Sequence, residues 1–253
     1  MGRGLECLDK WTYGNAISTL TQGYKCAYGG DRLRVLTGFE PAHVGLIPDG
    51  MRRWAKNRGI SLAEAYLQGA EKVADILQVL RRHNVRTVSV YNLSRANLAR
   101  SQAELEPVFN ASIHFLTHLI PDRFEPDDCS VRLHGDRTVL PSEYVAAAER
   151  AESVMRGEEF RINILAAYDA NDELRTALQQ AQKRGGEIRG VFDIEDVDLV
   201  IRTSPEPLLS GFLPLQTQYA QLRFLTTPLN ELEERHIDEF IDDYRRTPQL
   251  RGR

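Results

Sequence analysis

The run His43-Val-Gly-Leu-Ile-Pro-Asp-Gly-Met-Arg-Arg-Trp-Ala-Lys-Asn-Arg-Gly59 decides how the rest of the chain is read. Val44 to Ile47 is a short apolar segment, the length of a buried strand. Pro48-Asp49-Gly50 ends it, Arg52 and Arg53 follow, and a helix begins. A strand that ends in a glycine turn and feeds a helix leaves backbone N–H groups free at the turn. Those groups and the helix dipole favour an anion, phosphate above all. Arg52 and Arg53 add charged donors at the same place. Asp49 would repel a bare phosphate, so its suited roles beside that cradle are to hold Mg²⁺ or to handle a proton. The bland alternative is a βα turn with solvated arginines.

Downstream, Ser61-Leu-Ala-Glu64 is a capping box. Leu62, Ala65, Tyr66, Gly69, Val73, Ile76, Leu77 and Leu80 then give one helical face, ending near His83-Asn84. Thr87 to Leu93 is β-branched and reads as a central strand, followed by a loop over Ser94–Glu104. Further on, the pattern predicts a helix from about Gln102 to Leu119 and a polar loop over Pro121–Asp128. A strand and turn over Val131–Asp136 and a helix over Pro141–Met155 come next. The remaining elements are a strand over Phe160–Ala167, a helix over Asp172–Arg184 closed by Gly185-Gly186, and a last clear strand over Val197–Ile201. Two closing helices are expected over Phe212–Phe224 and His236–Arg246. Strands alternating with helices mean an α/β fold with a mostly parallel central sheet flanked by helices. Ligands bind such a sheet at the carboxyl ends of its strands, and Asp49, Ser94 and Arg202 each follow a strand end.

The chain's 253 residues suffice for one α/β domain with a full core. A net charge of −4 gives no general attraction to nucleic acid or anionic membrane, so the basic residues that matter are local. No apolar run reaches the length of a membrane span, and Met1 to Cys7 lacks the apolar core of a signal peptide. Cys7, Cys26 and Cys129 match no zinc or CxxC spacing. A cytoplasmic protein with reduced thiols is the expectation. Before His43, a helix over Leu5–Leu20 and a turn at Gly29-Gly30-Asp31 are the legible features.

The opening H-V-x-x-I-x-D-G-x-x-R-W-A resembles the cis-prenyltransferases, the family of undecaprenyl diphosphate synthase. Two further blocks are similar to that family: Tyr91-Asn-Leu-Ser94 with Asn97, Arg100 and Glu104, and Val197-Asp-Leu-Val-Ile-Arg202-Thr with Glu206 and Ser210-Gly-Phe-Leu. The resemblance runs from about His43 to Tyr244. It leaves residues 1–41 as an N-terminal extension and 42–253 as a single domain with the family's fold. It implies a Mg²⁺-dependent transferase acting on allylic isoprenyl diphosphates and working as a homodimer, with an interface over roughly Leu199–Phe224 that includes the apolar Phe212-Leu-Pro-Leu. It implies that Asp49 is the catalytic, Mg²⁺-linked acid. Gly50, Arg52, Arg53 and Arg100 would bind the allylic diphosphate, with Met51 and Trp54 in the same block. Trp54 reads either as a substrate contact or as core. Arg202, Glu206, Leu208 and Ser210 would line the second-substrate site, and Ser94, Asn97 and Tyr66 would stand near the reacting carbons.

The departures from the family pattern lie in the same blocks. Arg52 replaces a Gly, Met51 an Asn, Tyr66 a His, Ala96 a Glu, Leu98 a Trp and Ser101 a Pro. Leu208 stands where the family has an Arg on the second diphosphate, and Gln221 where it has a Glu linked to Mg²⁺ across the dimer. Replacing Arg by Leu removes a charged contact that can be bidentate. The wording Pro-Asp-Gly-Met-Arg-Arg-Trp with Tyr66 and Ser94-Arg-Ala-Asn-Leu-Ala-Arg-Ser101 is similar to the branch that makes cyclolavandulyl and isosesquilavandulyl diphosphates. That likeness implies head-to-middle coupling of dimethylallyl diphosphate with dimethylallyl or geranyl diphosphate in terpenoid secondary metabolism. The branch keeps the second-site Arg, which is absent here. Three alternatives stand beside it: a short-chain cis head-to-tail synthase, prenyl transfer to an acceptor without a diphosphate, and a non-catalytic partner subunit. Prenyl coupling requires neutralisation of the leaving diphosphate, a dry pocket for the cationic carbon, and a base. Asp49 and the arginines suit the first, and apolar helix faces the second. Ser94 or Tyr66 could relay the proton.

Overall fold

The computed structural model describes residues 40–186 and 190–248. Cys7, Cys26, the helix expected over Leu5–Leu20 and the turn at Gly29-Gly30-Asp31 lie outside these residues, as do all but the last two of the 1–41 extension's positions. Six parallel strands form the sheet: β1 His43–Ile47, β2 Thr87–Ser94, β3 Cys129–His134, β4 Phe160–Tyr168, β5 Leu199–Arg202 and β6 Gln221–Phe224. Their order is β3-β4-β2-β1-β5-β6, so β1 lies inside the sheet with β2 and β5 as neighbours. The helices are α1 Met51–Arg58, α2 Leu62–Arg82, α3 Gln102–His114, α4 Ile120–Arg123, α5 Ser142–Val154, α6 Ala170–Lys183 and α7 Glu234–Arg246.

Period-two alternation sorts the strand side chains onto two faces. Val44, Leu46, Val88, Val90, Ile162 and Ile164 join the main core with residues of α2, α5 and α7. Ile47, Tyr91, Leu165 and Val200 pack on the other face with Ile194, Val197, Phe212 and Leu213. That second face carries a row of polar groups across four strands, buried at His43, Ser89 and Asn163 and part-buried at His134. His43 Nε2 shares a hydrogen bond with Ser89 Oγ at 2.8 Å, Asn163 Nδ2 donates to Ser89 Oγ at 3.1 Å, and His134 Nε2 lies 3.2 Å from Asn163 Oδ1. Burial pushes both imidazoles below the ordinary histidine value.

Most of the expected elements are present within a few residues of their expected bounds, and α2 starts at its expected N-cap, Ser61 Oγ accepting from Glu64 N–H, although the Glu64 carboxylate accepts from Gln68 and does not close the expected capping box. Three expectations are corrected. The loop expected from Ser94 begins with a 3₁₀ turn, Arg95–Ala99, capped reciprocally by Ser94 and Asn97. Pro121 to Arg123 belongs to α4, reached from α3 through a π-helical turn over Phe115–Leu119. The helix expected over Phe212–Phe224 does not form. Phe212, Leu213, Gln216 and Thr217 are buried at a spacing that imitates a helical face. The chain there instead makes tight turns around Leu213, whose φ is +40°, and Pro214 follows it. The segment then ends in the edge strand β6. Phe212 and Leu213 are therefore core of the subunit itself, not interface, while Leu208, Leu215, Tyr219 and Leu222 are exposed nearby. Cys129 is buried with a free thiol that burial pushes up to about 12. No helix among the described residues is long and apolar enough to cross a membrane.

Candidate active site

The carboxyl ends of β1, β2 and β5 open into one cavity of about 660 Å³, roofed by α1, α2 and α3. Gly50 makes its central turn. Its φ is +94°, and a Cβ there would come 2.8 Å from Pro228 Cβ, so only glycine fits. The turn leads directly into α1, whose first N–H groups have no side-chain cap, the arrangement that favours an anion.

Asp49 is held from three sides. Its N–H donates to Thr203 Oγ1 at 2.7 Å, its carbonyl accepts from Thr203 Oγ1 at 2.9 Å, and its Oδ1 accepts from Gly50 N–H at 2.6 Å. Arg202 Nη2 donates to Asp49 Oδ2 at 2.9 Å, while Arg202 Nη1 donates to Ser210 Oγ at 2.9 Å and to the Leu208 carbonyl. The Arg202 side chain is 9 % exposed, so this fork is a buried, committed one.

On the α1 side the cations are arranged differently. Arg53 makes a two-pronged pair with Glu206, at 2.8 and 3.3 Å, and also reaches Ser204 Oγ at 3.3 Å. Arg52 pairs with Glu104 of α3 at 2.8 Å, and Ser101 Oγ donates to the other Glu104 oxygen at 3.3 Å. These pairs hold both carboxyls below the usual carboxylate range. Arg100 and Lys56 line the cavity without a side-chain partner among the described residues. Five cationic side chains against two acidic ones line a cavity in a chain of net charge −4, which marks it for an anionic ligand.

Behind this charged mouth the walls are apolar: Ala70 and Val73 of α2, Val90 and Leu93 of β2, and Val108, Ala111 and Phe115 on the α3 side. Tyr66 projects into this part from α2. Burial pushes its hydroxyl above the ordinary value, against the pull of Arg100 and Arg52, so near neutral pH it is a neutral donor and acceptor. Ser94 Oγ accepts from Asn97 N–H at 3.1 Å, and Asn97 Oδ1 accepts from Ser94 N–H at 3.3 Å.

Asp49, Gly50, Met51, Arg52, Arg53, Tyr66, Ser94, Asn97, Arg100, Arg202, Glu206, Leu208 and Ser210 all line this one cavity. Two residues expected at the site do not. Trp54 points into a cluster with Ala55 and Ala65 and donates Nε1–H to Glu231 at 2.9 Å, so it is core. Gln221 opens edge strand β6, and its Oε1 accepts from Arg223. The sequence reading missed Thr203, which fixes the Asp49 backbone, and Tyr91 and Asn92, which line the cavity from β2. Thr203 and Tyr91 stand inside the quoted blocks, but only long-range hydrogen bonds show their part.

The donor set for a metal is one carboxylate. No group of three His, Cys, Asp or Glu side chains that could hold an ion exists among the described residues. Mg²⁺ is commonly bound by one or two carboxylates together with substrate phosphates. Asp49, partly exposed at a mouth lined by arginines, suits that mode.

A family model described as putative undecaprenyl diphosphate synthase matches residues 47–252. The tritrans,polycis-undecaprenyl-diphosphate synthase (geranylgeranyl-diphosphate specific) of Pyrobaculum aerophilum is 32% identical over 231 residues, covering 84% of this chain and 96% of that protein. An isoprenyl transferase of Lactococcus lactis is 25% identical over 228 residues, covering 84% and 93%. Among solved structures, the fold is similar to lavandulyl diphosphate synthase from Lavandula x intermedia in complex with dimethylallyl diphosphate. The TM-score is 0.73 at 22% identity, over 83% of this chain and 97% of that one. A probable undecaprenyl diphosphate synthase from Campylobacter jejuni gives a TM-score of 0.68 at 21% identity, over 85% and 100%.

Proposed function

We propose, for a chain that belongs to the undecaprenyl diphosphate synthase family of cis-prenyltransferases and so makes prenyl diphosphates, that it couples two allylic diphosphates head-to-middle to a lavandulyl or isosesquilavandulyl-type diphosphate. The observation that carries this reading is the placement of charge around the cavity. Arg52, Arg53, Lys56 and Arg100 stand on the side of α1 and the 3₁₀ turn, where a donor diphosphate fits. On β5 Arg202 is the one lining cation among the described residues, and Leu208, on the segment that follows β5, is 58 % exposed where the resemblance expects an arginine. A second site without that clamp is ill suited to isopentenyl diphosphate.

In this reading Asp49, together with the donor diphosphate, would hold Mg²⁺. The ion supplies Lewis-acid neutralisation of the charge that builds on the leaving diphosphate. Arg52, Arg53 and Arg100 orient that diphosphate and stabilise it as it departs, the arginines exchanging exposed carboxylates for phosphate oxygens. The apolar walls from α2 and α3 exclude water from the cationic carbon and set it against the second alkene. Tyr66, kept neutral, and Ser94 relay the proton lost by the coupled cation to the released diphosphate, which accepts it as the base. Arg202 and Ser210 hold the second diphosphate.

The experiment is incubation of the purified protein with Mg²⁺ and paired dimethylallyl, geranyl and isopentenyl diphosphates, with products identified after phosphatase treatment. Branched head-to-middle skeletons are expected. A linear cis product from isopentenyl diphosphate would overturn the proposal in favour of head-to-tail elongation, the reaction suggested by the names of the curated relatives. A homodimer through the 199–224 segment belongs to the same reading, supported by exposed Leu215, Tyr219 and Leu222. A monomer by light scattering at micromolar concentration counts against it.

A further inference from the structure

Ser210 is the residue on which the second-substrate side turns, and its backbone is strained. Its φ is +53°, a left-handed value that a side chain other than glycine adopts at a cost, and Gly211 follows at +82°. Such a turn persists only when its surroundings over-determine it. Two contacts do so. Arg202 Nη1 donates to Ser210 Oγ, and on the other side of the residue Tyr91 Oη–H donates to the Ser210 carbonyl at 3.0 Å. The Tyr91 ring is fixed between Tyr168, edge-on at 6.1 Å, and Phe212, tilted at 5.5 Å. One hydroxyl therefore joins the end of β2 to the turn that receives the Arg202 fork, and that fork ends on Asp49.

We propose that Tyr91 is the positioning residue of the second-substrate side: its hydroxyl holds the Ser210–Gly211 turn left-handed and so keeps Ser210 Oγ and the Arg202 guanidinium in the geometry that receives the second diphosphate. The proposal rests on the reading of Arg202 and Ser210 as that substrate's site. Ser94 keeps its reciprocal cap with Asn97 when Tyr91 Oη is removed, so the donor side is not loosened.

Tyr91→Phe deletes the hydroxyl and retains the ring between its aromatic neighbours. The expected result is a Michaelis constant for the second diphosphate raised about three- to tenfold, the worth of one hydrogen bond. The donor's constant and the thermal unfolding midpoint stay as in the wild type. Ser210→Gly supplies a residue that adopts the turn unaided. In that background Tyr91→Phe adds no further rise, whereas a hydroxyl that merely supported the fold would cost the same in both backgrounds. An unchanged second-substrate constant in Tyr91→Phe, an equal rise for both substrates, or an additive rise in the double variant overturns the proposal. Arg202→Ala separates this failure from failure of the underlying reading. If Arg202→Ala raises the second-substrate constant and Tyr91→Phe does not, the positioning role alone falls. If Arg202→Ala leaves it unchanged, both fall.

Discussion

On the α1 side of the cavity the arginines are half exposed and held by carboxylates that are themselves exposed. On the β5 side Arg202 is buried and divides its fork among Asp49, Ser210 and the Leu208 carbonyl. Exposed ion pairs contribute little and are screened by salt, so in the proposed reading a diphosphate would displace Glu104 and Glu206 readily. A buried guanidinium cannot be released without leaving a desolvated charge behind. The proposed donor side would thus exchange partners, and the proposed second side would stay in place. Affinity on the first would come from cations freed at binding. On the second it would come from geometry already set.

The largest effect that tests this contrast is expected at Asp49, the residue both sides share. Asp49→Ala should lower kcat/KM by about a thousandfold, the scale of losing a charge-stabilising group at the reacting centre. The variant should still unfold cooperatively by circular dichroism, because the carboxylate is partly exposed. Near wild-type turnover would remove Asp49 from the chemistry.

Next comes Arg100→Ala, which takes away a cation with no side-chain partner among the described residues. Hydrogen bonds to charged groups contribute roughly 1.5–3 kcal/mol, so the donor's KM should rise about ten- to a hundredfold. The second substrate's KM and the melting temperature should not move. A shift in both constants would erase the division of labour. Leu208→Arg attacks the division from the other side. It should tighten isopentenyl diphosphate by up to about tenfold, measured as KM against the wild type. Efficient isopentenyl diphosphate use by the wild type, with no gain in the variant, would show that position 208 does not set the reaction.

Away from the cavity, the row from His43 to His134 predicts a change in stability that leaves substrate constants alone. Both histidines have folded pKa values below the unfolded value of about 6.5. Above that pH neither state binds the proton and their contribution is complete. As pH falls below it the unfolded chain takes up protons that the fold refuses, and stability declines until the folded pKa values are reached. Thermal midpoints followed from about pH 7.5 to 5 should fall, and His134→Gln should flatten the slope. An identical slope in the variant would discard the assignment. The smallest effect is reserved for Glu104→Gln, which should leave the melting temperature unchanged within error and alter only the salt dependence of donor binding.

The lower part of this architecture was legible because local signals agreed. The β-branched run of β2, the Ser61 cap and the apolar stripe of α2 each carry their own pattern. The cavity was legible for a different reason: Asp49, Ser94 and Arg202 each follow a strand, and a parallel sheet brings such ends together. What could not be read locally depends on distant partners. Phe212 and Leu213 mimic a helix face, yet they are claimed by the sheet through Gly45, where a Cβ would lie 2.5 Å from the Phe212 ring. Trp54 sits among the motif residues, but its indole N–H finds Glu231, far along the chain. Thr203 and Tyr91 look like ordinary strand-end residues until the loop that folds over them is in place.

The polar row across β1, β2, β4 and β3 also bears on how the sheet finds its alignment. Parallel strands meet only after long crossovers close, so their assembly is slow and wrong alignments have time to form. In an apolar sheet a strand displaced by two residues still presents the same face and meets little penalty. Here such a slip of β4 would carry Asn163 past Ser89 and His134 at once, stranding buried Asn163, taking from part-buried His134 its partner in the row and leaving Ser89 with His43 alone. A slip by one residue would turn Asn163 into the main core. The row thus acts as a proofreading mark, making the correct pairing of four strands the one arrangement in which every polar group on that line is matched.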